Sequence, residues 1–136
     1  MIMLADYFMG RDVDPRYAAE LSGEIRANAA ETVRRANVLL SRYYAAQPDA
    51  ERARVTSGWR PKAENASISN AAPRSRHMTG QAIDLSDPEG DLDAWCMDNL
   101  DILAGCGLWL ESPASTKGWC HVQTVPPRSG SRVFFP

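Results

Sequence analysis

Two short segments of the chain carry the residue types from which protein metal sites are built. The first, SRHMTGQAID, contains His77 and ends at Asp84, and the second, WCHVQ, contains His121; these are the only two histidines present. A catalytic zinc ion takes nitrogen and oxygen ligands from the protein and keeps one position open for water, so two imidazoles and one carboxylate satisfy it. The pattern therefore predicts a zinc site formed by His77, Asp84 and His121.

The order of side chains along two predicted strands supports the same ligands. Successive side chains of a strand point to opposite faces of the sheet. In the strand predicted over Gln81–Ser86 the aliphatic residues face the helices and Asp84 faces away. In the strand predicted over Trp119–Thr124 the same alternation turns His121 away from the helices. The side chains of Asp84 and His121 are therefore predicted to project from the same face of the sheet, the one that does not pack against the helices.

A third predicted strand, Gly107–Glu111, adds a candidate proton acceptor. The alternation that points its leucines inward puts Glu111 on the ligand side of the sheet. A carboxylate in that place could take a proton from the water on the metal, which is the role of a general base. The alternative, that Glu111 is a solvated residue at a strand end beside a turn, stays open.

Arg60 is the second candidate for a catalytic role. It stands in SGWRP, at a tight turn that leads into a segment rich in Asn, Ser, Ala and Pro. Its planar guanidinium could bind a substrate carboxylate or stabilise an oxyanion, and a plain surface charge is the alternative. Trp59, Trp109 and Trp119 are candidates for lining the same cleft, with burial in the core as the alternative for each.

These side chains need a scaffold, and hydrophobic periodicity predicts one of helices and a sheet. Helices are predicted over Ser22–Tyr44 and Leu92–Ala104, with a separate helical turn over Pro15–Leu21. The segments Pro61–Arg76 and Pro126–Pro136 have no apolar period and are predicted to be a surface loop and a proline-broken coil. The expected fold class is α+β: a small, mainly antiparallel sheet backed by helices, with zinc in a cleft on the exposed sheet face.

Length and composition limit the function classes that remain. A chain of 136 residues, 44% hydrophobic and 24% charged, fits one domain over residues 1–136 with no stable membrane insertion. The net charge of -2 argues against nucleic acid as a partner. The start, MIMLADYFMGRD, lacks a basic leader and a long apolar core, so we expect synthesis in the cytoplasm without a signal peptide. Cys96, Cys106 and Cys120 form no C-x-x-C pair, which favours free thiols.

Three blocks of residues give the chain a family resemblance. SGWRP with Asn65, then SRHMTGQAID, then WCHV occur in this order and span most of the chain from Ser57 to Gln123. In these blocks the sequence resembles the zinc D-Ala-D-Ala carboxypeptidase and L-alanyl-D-glutamate endopeptidase family. That family belongs to the superfamily shared with lysostaphin-type peptidases and the Hedgehog signalling domain. The N-terminal half and the ending resemble small phage or prophage members, which act as endolysins.

The resemblance implies a zinc metallopeptidase that hydrolyses peptide bonds of bacterial peptidoglycan stem peptides. It would act as a monomer at the cell wall or in the periplasm. The implied site residues are His77, Asp84 and His121 as zinc ligands and Arg60 and Ser75 as substrate contacts. Asn65 and Trp119, which lie in the matching blocks, are further candidates for binding substrate.

One position departs from the family pattern. Many members carry the general base as a glutamate three residues before the last histidine, where this chain has Gly118. Either Glu111 replaces that base from the neighbouring strand, or the chain is a zinc-containing binding or virion-structural module that has lost catalysis. A third interpretation is a domain without metal in which the histidines are incidental. The choice between D-Ala-D-Ala and L-Ala-D-Glu as the bond that is cut stays open.

Overall fold

A five-stranded sheet forms the centre of the computed structural model, which describes all residues from Met1 to Pro136. The strand order is β1-β2-β4-β3-β5, and every neighbouring pair is antiparallel except β3 with β5. The strands are β1 Val55–Ser57, β2 Ala82–Asp87, β3 Trp109–Glu111, β4 Gly118–Gln123 and β5 Val133–Phe134. The expected α+β class with a small, mainly antiparallel sheet is confirmed.

Five α-helices accompany the sheet, and none of them is both long and apolar enough to cross a membrane. They are α1 Leu4–Phe8, α2 Gly23–Ala46, α3 Lys62–Ser67, α4 Asp91–Asp98 and α5 Leu100–Gly105. Short 3-10 helices cover Arg11–Val13, Arg76–Thr79 and Pro113–Ser115. The one at Arg76–Thr79 carries a predicted metal ligand.

The core lies between α2 and one face of the sheet. The alternation predicted for β2 and β4 is confirmed, because Ile83, Leu85, Cys120 and Val122 are all fully buried in one cluster of 20 residues. Helix α2 contributes its apolar stripe to the same cluster. Burying one such aliphatic side chain is worth about 1.5–3 kcal/mol, so this layer holds the opposite, ligand-bearing face in place.

Helix α2 also begins where its sequence predicts. The Oγ of Ser22 accepts a hydrogen bond from the backbone N–H of Ile25 at 3.1 Å, which satisfies a free donor at the helix N-terminus. The prediction of a helix over Ser22–Tyr44 is therefore confirmed, with an observed end at Ala46.

The predicted helical turn over Pro15–Leu21 is reduced to one hydrogen bond of helical type, from the backbone N–H of Leu21 to the carbonyl oxygen of Tyr17 at 3.2 Å. These residues form consecutive turns without a helix. The carboxylate of Asp14 accepts a hydrogen bond from the backbone N–H of Arg16 at 2.9 Å, which closes a turn that competes with helix formation.

The segment Pro61–Arg76, predicted to be a loop, contains the helix α3. This helix has six residues and starts directly after Pro61. The backbone N–H of Lys62 donates to Glu20 Oε2 at 2.9 Å, so a residue far along the chain satisfies one of its N-terminal donors. A helix this short shows no apolar period, and tertiary contacts rather than pattern stabilise it.

The helix predicted over Leu92–Ala104 is divided into α4 and α5. The backbone leaves helical geometry at Asn99, with φ -133° and ψ 47°. The Asn99 side chain donates from Nδ2 to the carbonyl oxygen of Trp95 at 2.8 Å, and such local side-chain bonds compete with the helix ladder.

Two further predictions concern the tail and the cysteines. The tail Pro126–Pro136 is not wholly coil, because it contains the strand β5. Free thiols are confirmed: Cys96 and Cys120 are buried, Cys106 is partly buried, and none forms a disulfide.

Candidate metal centre

His77, Asp84 and His121 meet on the face of the sheet opposite the core. Asp84 of β2 and His121 of β4 are direct partners in the antiparallel pair, and His77 comes from the 3-10 helix that leads into β2. One ligand atom from each residue lies within 4.8 Å of the other two, and all three residues are buried. The structure therefore brings the three predicted ligands close enough together to hold one metal ion.

The imidazole of His77 is oriented by a backbone carbonyl. Its Nδ1 lies 2.8 Å from the carbonyl oxygen of Gly58. A carbonyl oxygen only accepts hydrogen bonds, so Nδ1 carries the proton and Nε2 keeps a free lone pair. That Nε2 lies 3.2 Å from Asp84 Oδ1.

The imidazole of His121 is oriented by a side-chain amide. Its Nε2 lies 3.1 Å from Gln123 Oε1, and the Gln123 amide is itself held by a hydrogen bond from its Nε2 to the carbonyl oxygen of Val125 at 2.8 Å. Gln123 Oε1 only accepts, so His121 Nε2 donates to it; in the neutral ring, Nδ1 then carries the lone pair that a metal ion could use. This Nδ1 lies 2.7 Å from Asp84 Oδ1.

Three electron-rich atoms thus converge on one point. Two imidazole lone pairs facing one carboxylate oxygen repel each other unless a proton or a metal cation lies between them. Burial lowers the pKa of His77, which disfavours a second proton on that ring, whereas a hydrogen bond donated to the Asp84 carboxylate raises the pKa of His121 despite its burial. Imidazole and carboxylate donors suit zinc and several other divalent metals. The donor set therefore fits such an ion.

The second oxygen of the Asp84 carboxylate is held by Arg60. Arg60 Nη2 lies 3.5 Å from Asp84 Oδ2, Nε donates to Ser57 Oγ at 2.9 Å, and Nη1 donates to Asn65 Oδ1 at 3.3 Å. The backbone N–H of Arg60 also donates to the carbonyl oxygen of His77 at 3.0 Å. Arg60 is only 9% exposed, so the alternative of a plain surface charge is wrong.

The two histidines keep Asp84 ionised. Burial alone would raise the pKa of Asp84, but the neighbouring histidines hold it well below its ordinary value. Arg60 is desolvated in return, and burial lowers its pKa. Asn65, a predicted substrate contact, is also buried and donates from Nδ2 to the carbonyl oxygen of Ala72 at 3.0 Å. It supports the Arg60 side chain from beneath the site.

Glu111 lies beside the cluster and not out in solvent. Its Oε2 is 3.9 Å from His121 Nδ1, and its side chain is 16% exposed. Burial raises the pKa of Glu111 above the ordinary value of a carboxyl group. The interpretation of Glu111 as a solvated strand end is therefore wrong, and its position is compatible with a proton acceptor.

Gly118 is poorly placed for that task. It begins β4 with φ +97°, a backbone conformation that L side chains rarely adopt. A glutamate here would be strained whatever the space around it.

The remaining predicted site residues differ in whether they lie near the three candidate ligands. Ser75 is half-buried and caps the 3-10 helix, its Oγ accepting from the backbone N–H of His77 at 3.3 Å. Trp119 is half-buried and lies two residues before His121 in β4. Trp59 does not line the cleft: it is fully buried, and its Nε1 donates to the carbonyl oxygen of Met78 at 3.2 Å. Trp109 packs beneath the guanidinium of Arg132, 4.4 Å from the ring centroid.

Two residues that orient the ligands have no assigned role in the sequence prediction. Gln123 follows the alternation of His121, which predicts its place on the ligand face without indicating that it would orient the imidazole. Gly58 has a weaker signal, as a glycine in a tight turn. In the structure a Cβ at Gly58 would lie 1.9 Å from the carbonyl oxygen of Tyr7, so no other residue fits between that backbone and His77.

Comparison with known proteins gives no match to a family model, a curated protein or a solved structure. The site is therefore interpreted from its own geometry.

Proposed function

We propose that this protein is a zinc-dependent peptidase that hydrolyses peptide bonds of bacterial peptidoglycan stem peptides. The observation that carries the proposal is the buried group His77, Asp84 and His121, whose ligand atoms lie within 4.8 Å of one another. The blocks in which the sequence resembles zinc cell-wall peptidases contain these same residues. Cleavage of D-Ala-D-Ala and cleavage of L-Ala-D-Glu are both compatible with the site.

The residues around the metal position supply the rest of a hydrolytic site. A bound zinc ion would lower the pKa of its water to about 7 and polarise the scissile carbonyl. Glu111, 3.9 Å from His121 Nδ1, would accept the proton of the attacking water and pass it to the leaving amine. Its raised pKa favours this role, because a carboxyl group that titrates closer to neutral pH both accepts and returns a proton readily.

Arg60 would orient the substrate. A guanidinium has five N–H donors, and the contacts of Arg60 with Ser57, Asn65 and Asp84 leave some of them for a carboxylate or for the oxyanion that forms during attack. Ser75 and Trp119 would line the cleft on either side of the ligands. In this proposal the protein acts as a monomer at the cell wall, as an endolysin of a phage or prophage does.

The second candidate is a zinc-containing binding or virion-structural module without catalysis. Gly118, at the position where many members of the resembling family carry the base, favours it. The position of Glu111 favours the peptidase, because a half-buried carboxylate beside the ligands has no evident structural partner of opposite charge other than the site itself.

The test is hydrolysis of purified peptidoglycan by the zinc-loaded protein. We expect new amino groups to be released, and mass spectrometry of the digested muropeptides to identify the bond. His121→Ala, which removes one ligand, is the matched control and should release none. If the parent protein holds stoichiometric zinc and still releases no amino groups, the binding module is the correct interpretation. If it holds no zinc, both the peptidase and the binding module are wrong.

A further inference from the structure

The C-terminal strand β5 is fastened to the strand that carries Glu111. The backbone N–H of Leu110 donates to the carbonyl oxygen of Arg132 at 2.9 Å, and that of Ser112 donates to the carbonyl oxygen of Phe134 at 2.7 Å. In this parallel pair Glu111 and Phe134 are register partners. Register partners in neighbouring strands place their side chains on the same face, so Phe134 shares the face of the metal centre.

The ring of Phe134 reaches over β3 to His121. The two ring centroids are 6.1 Å apart, and the ring planes cross at 81°. Strand β3 lies between β5 and β4, and two strand spacings amount to about 10 Å. The side chain therefore leans across the position of Glu111 to contact the imidazole.

We propose that Phe134 is a positioning residue of the site, which holds the imidazole of His121 in its metal-binding orientation and covers the carboxylate of Glu111. The inference rests on the proposed function for the role of Glu111, and it extends the site to a segment that the sequence predicts to be coil.

The contacts of His121 show why such a residue is needed. Asp84 and Gln123 hold the imidazole at its two nitrogens, by bonds of 2.7 Å and 3.1 Å. Those contacts and the covalent bond from Cγ to Cβ set the plane of the ring, and groups packed against its faces limit the rocking motion that remains. The rings of His77, 5.2 Å away, and of Phe134 supply that packing. An imidazole whose orientation is already restricted loses less conformational freedom when it binds a metal ion.

The neighbouring Phe135 offers a matched control. It is the same residue type, but its side chain is 76% exposed, whereas Phe134 is half-buried. Phe135 lies one residue beyond the end of β5, with its ring largely in solvent. A difference between Phe134→Ala and Phe135→Ala therefore reports the contact with the site and not the loss of an aromatic ring from the tail.

The first measurement is independent of catalysis. Only two histidines are present, so the imidazole signals in a proton–carbon NMR spectrum of the metal-free protein are few and assignable by single substitution. We expect Phe134→Ala to shift the His121 ring signals, because an aromatic ring displaces the resonances of nearby protons, and Phe135→Ala to leave them unchanged. The zinc dissociation constant, measured by competition with a chelating dye, should rise about tenfold in Phe134→Ala alone.

The second measurement is the hydrolysis of peptidoglycan peptides by the same variants. We expect kcat to fall between about tenfold and 100-fold in Phe134→Ala, with KM within a factor of about three, because Phe134 acts on His121 and Glu111 and not on substrate. Phe134→Leu, which keeps an apolar cover, should recover much of kcat and of zinc affinity. If thermal unfolding shows that Phe134→Ala does not fold, Phe134→Leu and Phe135→Ala are compared with the parent protein.

The outcomes separate this inference from the proposed function. Equal zinc affinity in Phe134→Ala and Phe135→Ala overturns the positioning role even if the His121 signals shift, because removing a nearby aromatic ring moves those signals without any change in orientation. A zinc-loaded parent protein without hydrolase activity overturns the proposed function, and in that case the NMR and zinc measurements still decide whether Phe134 positions His121.

Discussion

Asp84 connects the ionisable groups of the site. Its Oδ1 faces both histidines, and its Oδ2 faces Arg60 at 3.5 Å. A buried ion pair of this kind adds little net stability, because removing both charges from water costs about as much as their attraction returns. Its physical benefit lies in orientation, because one carboxylate contacts the two candidate histidine ligands with one oxygen and the Arg60 guanidinium with the other.

At Glu111 the carboxylate is predicted to act as the base. Glu111→Gln keeps the size of the side chain but cannot accept a proton, so we expect kcat on peptidoglycan peptides to fall by about 100-fold to 10,000-fold. Zinc content should not change, because Glu111 is not one of the three ligands. Metal analysis and amino-group release on one preparation check both parts. Glu89→Gln, at an exposed glutamate, is the control; equal turnover in Glu111→Gln and the parent excludes Glu111 as the base.

At Gln123 the amide is predicted to select the tautomer of His121. Gln123→Leu removes the acceptor for His121 Nε2, so we expect the zinc dissociation constant to rise by about 10-fold to 100-fold. Gln123→Glu retains an acceptor and should bind zinc more tightly than Gln123→Leu. Nitrogen NMR shifts of the two histidines identify which ring nitrogen carries the proton. An unchanged His121 tautomer in Gln123→Leu would contradict the assignment.

Among the elements, the pairing of β2 with β4 and the 3-10 helix before β2 do most to form the site. The pairing sets Asp84 opposite His121. Helix α2 holds the 3-10 helix, because Thr32 Oγ1 donates to the carbonyl oxygen of Gly80 at 2.8 Å and Asn28 Nδ2 donates to that of Thr79 at 3.0 Å. His77 therefore depends on a helix that carries no site residue itself.

The turn that contains Gly58 gives a prediction about stability. A Cβ there would lie 1.9 Å from the carbonyl oxygen of Tyr7, and backbone atoms yield little. We expect Gly58→Ala to lower the free energy of unfolding by about 1–3 kcal/mol or more, and to weaken zinc binding because the Gly58 carbonyl orients His77. Urea unfolding of the metal-free protein measures the first effect.

Gly23→Ala is the control for that measurement. Gly23 is the first residue of α2, and a Cβ added there meets nothing within 4 Å. Alanine favours the helix and restricts the unfolded chain, so Gly23→Ala should be neutral or stabilising by up to about 1 kcal/mol. Equal destabilisation by both substitutions would show that the close approach at Gly58 is relieved in solution.

For the whole molecule, metal binding should be linked to folding. His77, Asp84 and His121 come together only in the folded chain, so an ion that binds them stabilises the native state, by about 2.7 kcal/mol at a free concentration 100 times its dissociation constant. We expect a zinc chelator to lower the melting temperature, and added zinc to restore it. Magnesium, which prefers oxygen ligands, should not restore it.

The stabilisation by zinc should decrease as the pH falls. The ligands bind metal only when deprotonated, so the difference in melting temperature between zinc-loaded and chelated protein should shrink as the pH falls. Calorimetry of both forms at several pH values measures it. If zinc changes the melting temperature at no pH, the interpretation in which the histidines are incidental is favoured.

The sequence by itself determined the features that repeat locally. The helical period of α2 and the two-residue period of β2 and β4 depend only on neighbouring residues. These periods predict which faces are buried, and they place Asp84 and His121 on the same outer face of the sheet. The pattern does not predict the short elements α1, α3, β1 and β5, because two to six residues carry no period.

Only the tertiary structure decides which residues contact one another around the candidate ligands. The carbonyl of Gly58, which orients His77, the burial of Arg60 against Asp84, and the reach of Phe134 to His121 all join residues from different elements. Each depends on distances of a few ångströms between segments far apart in the chain. Such distances are set by the packing of the whole core, and no local pattern of residue types encodes them.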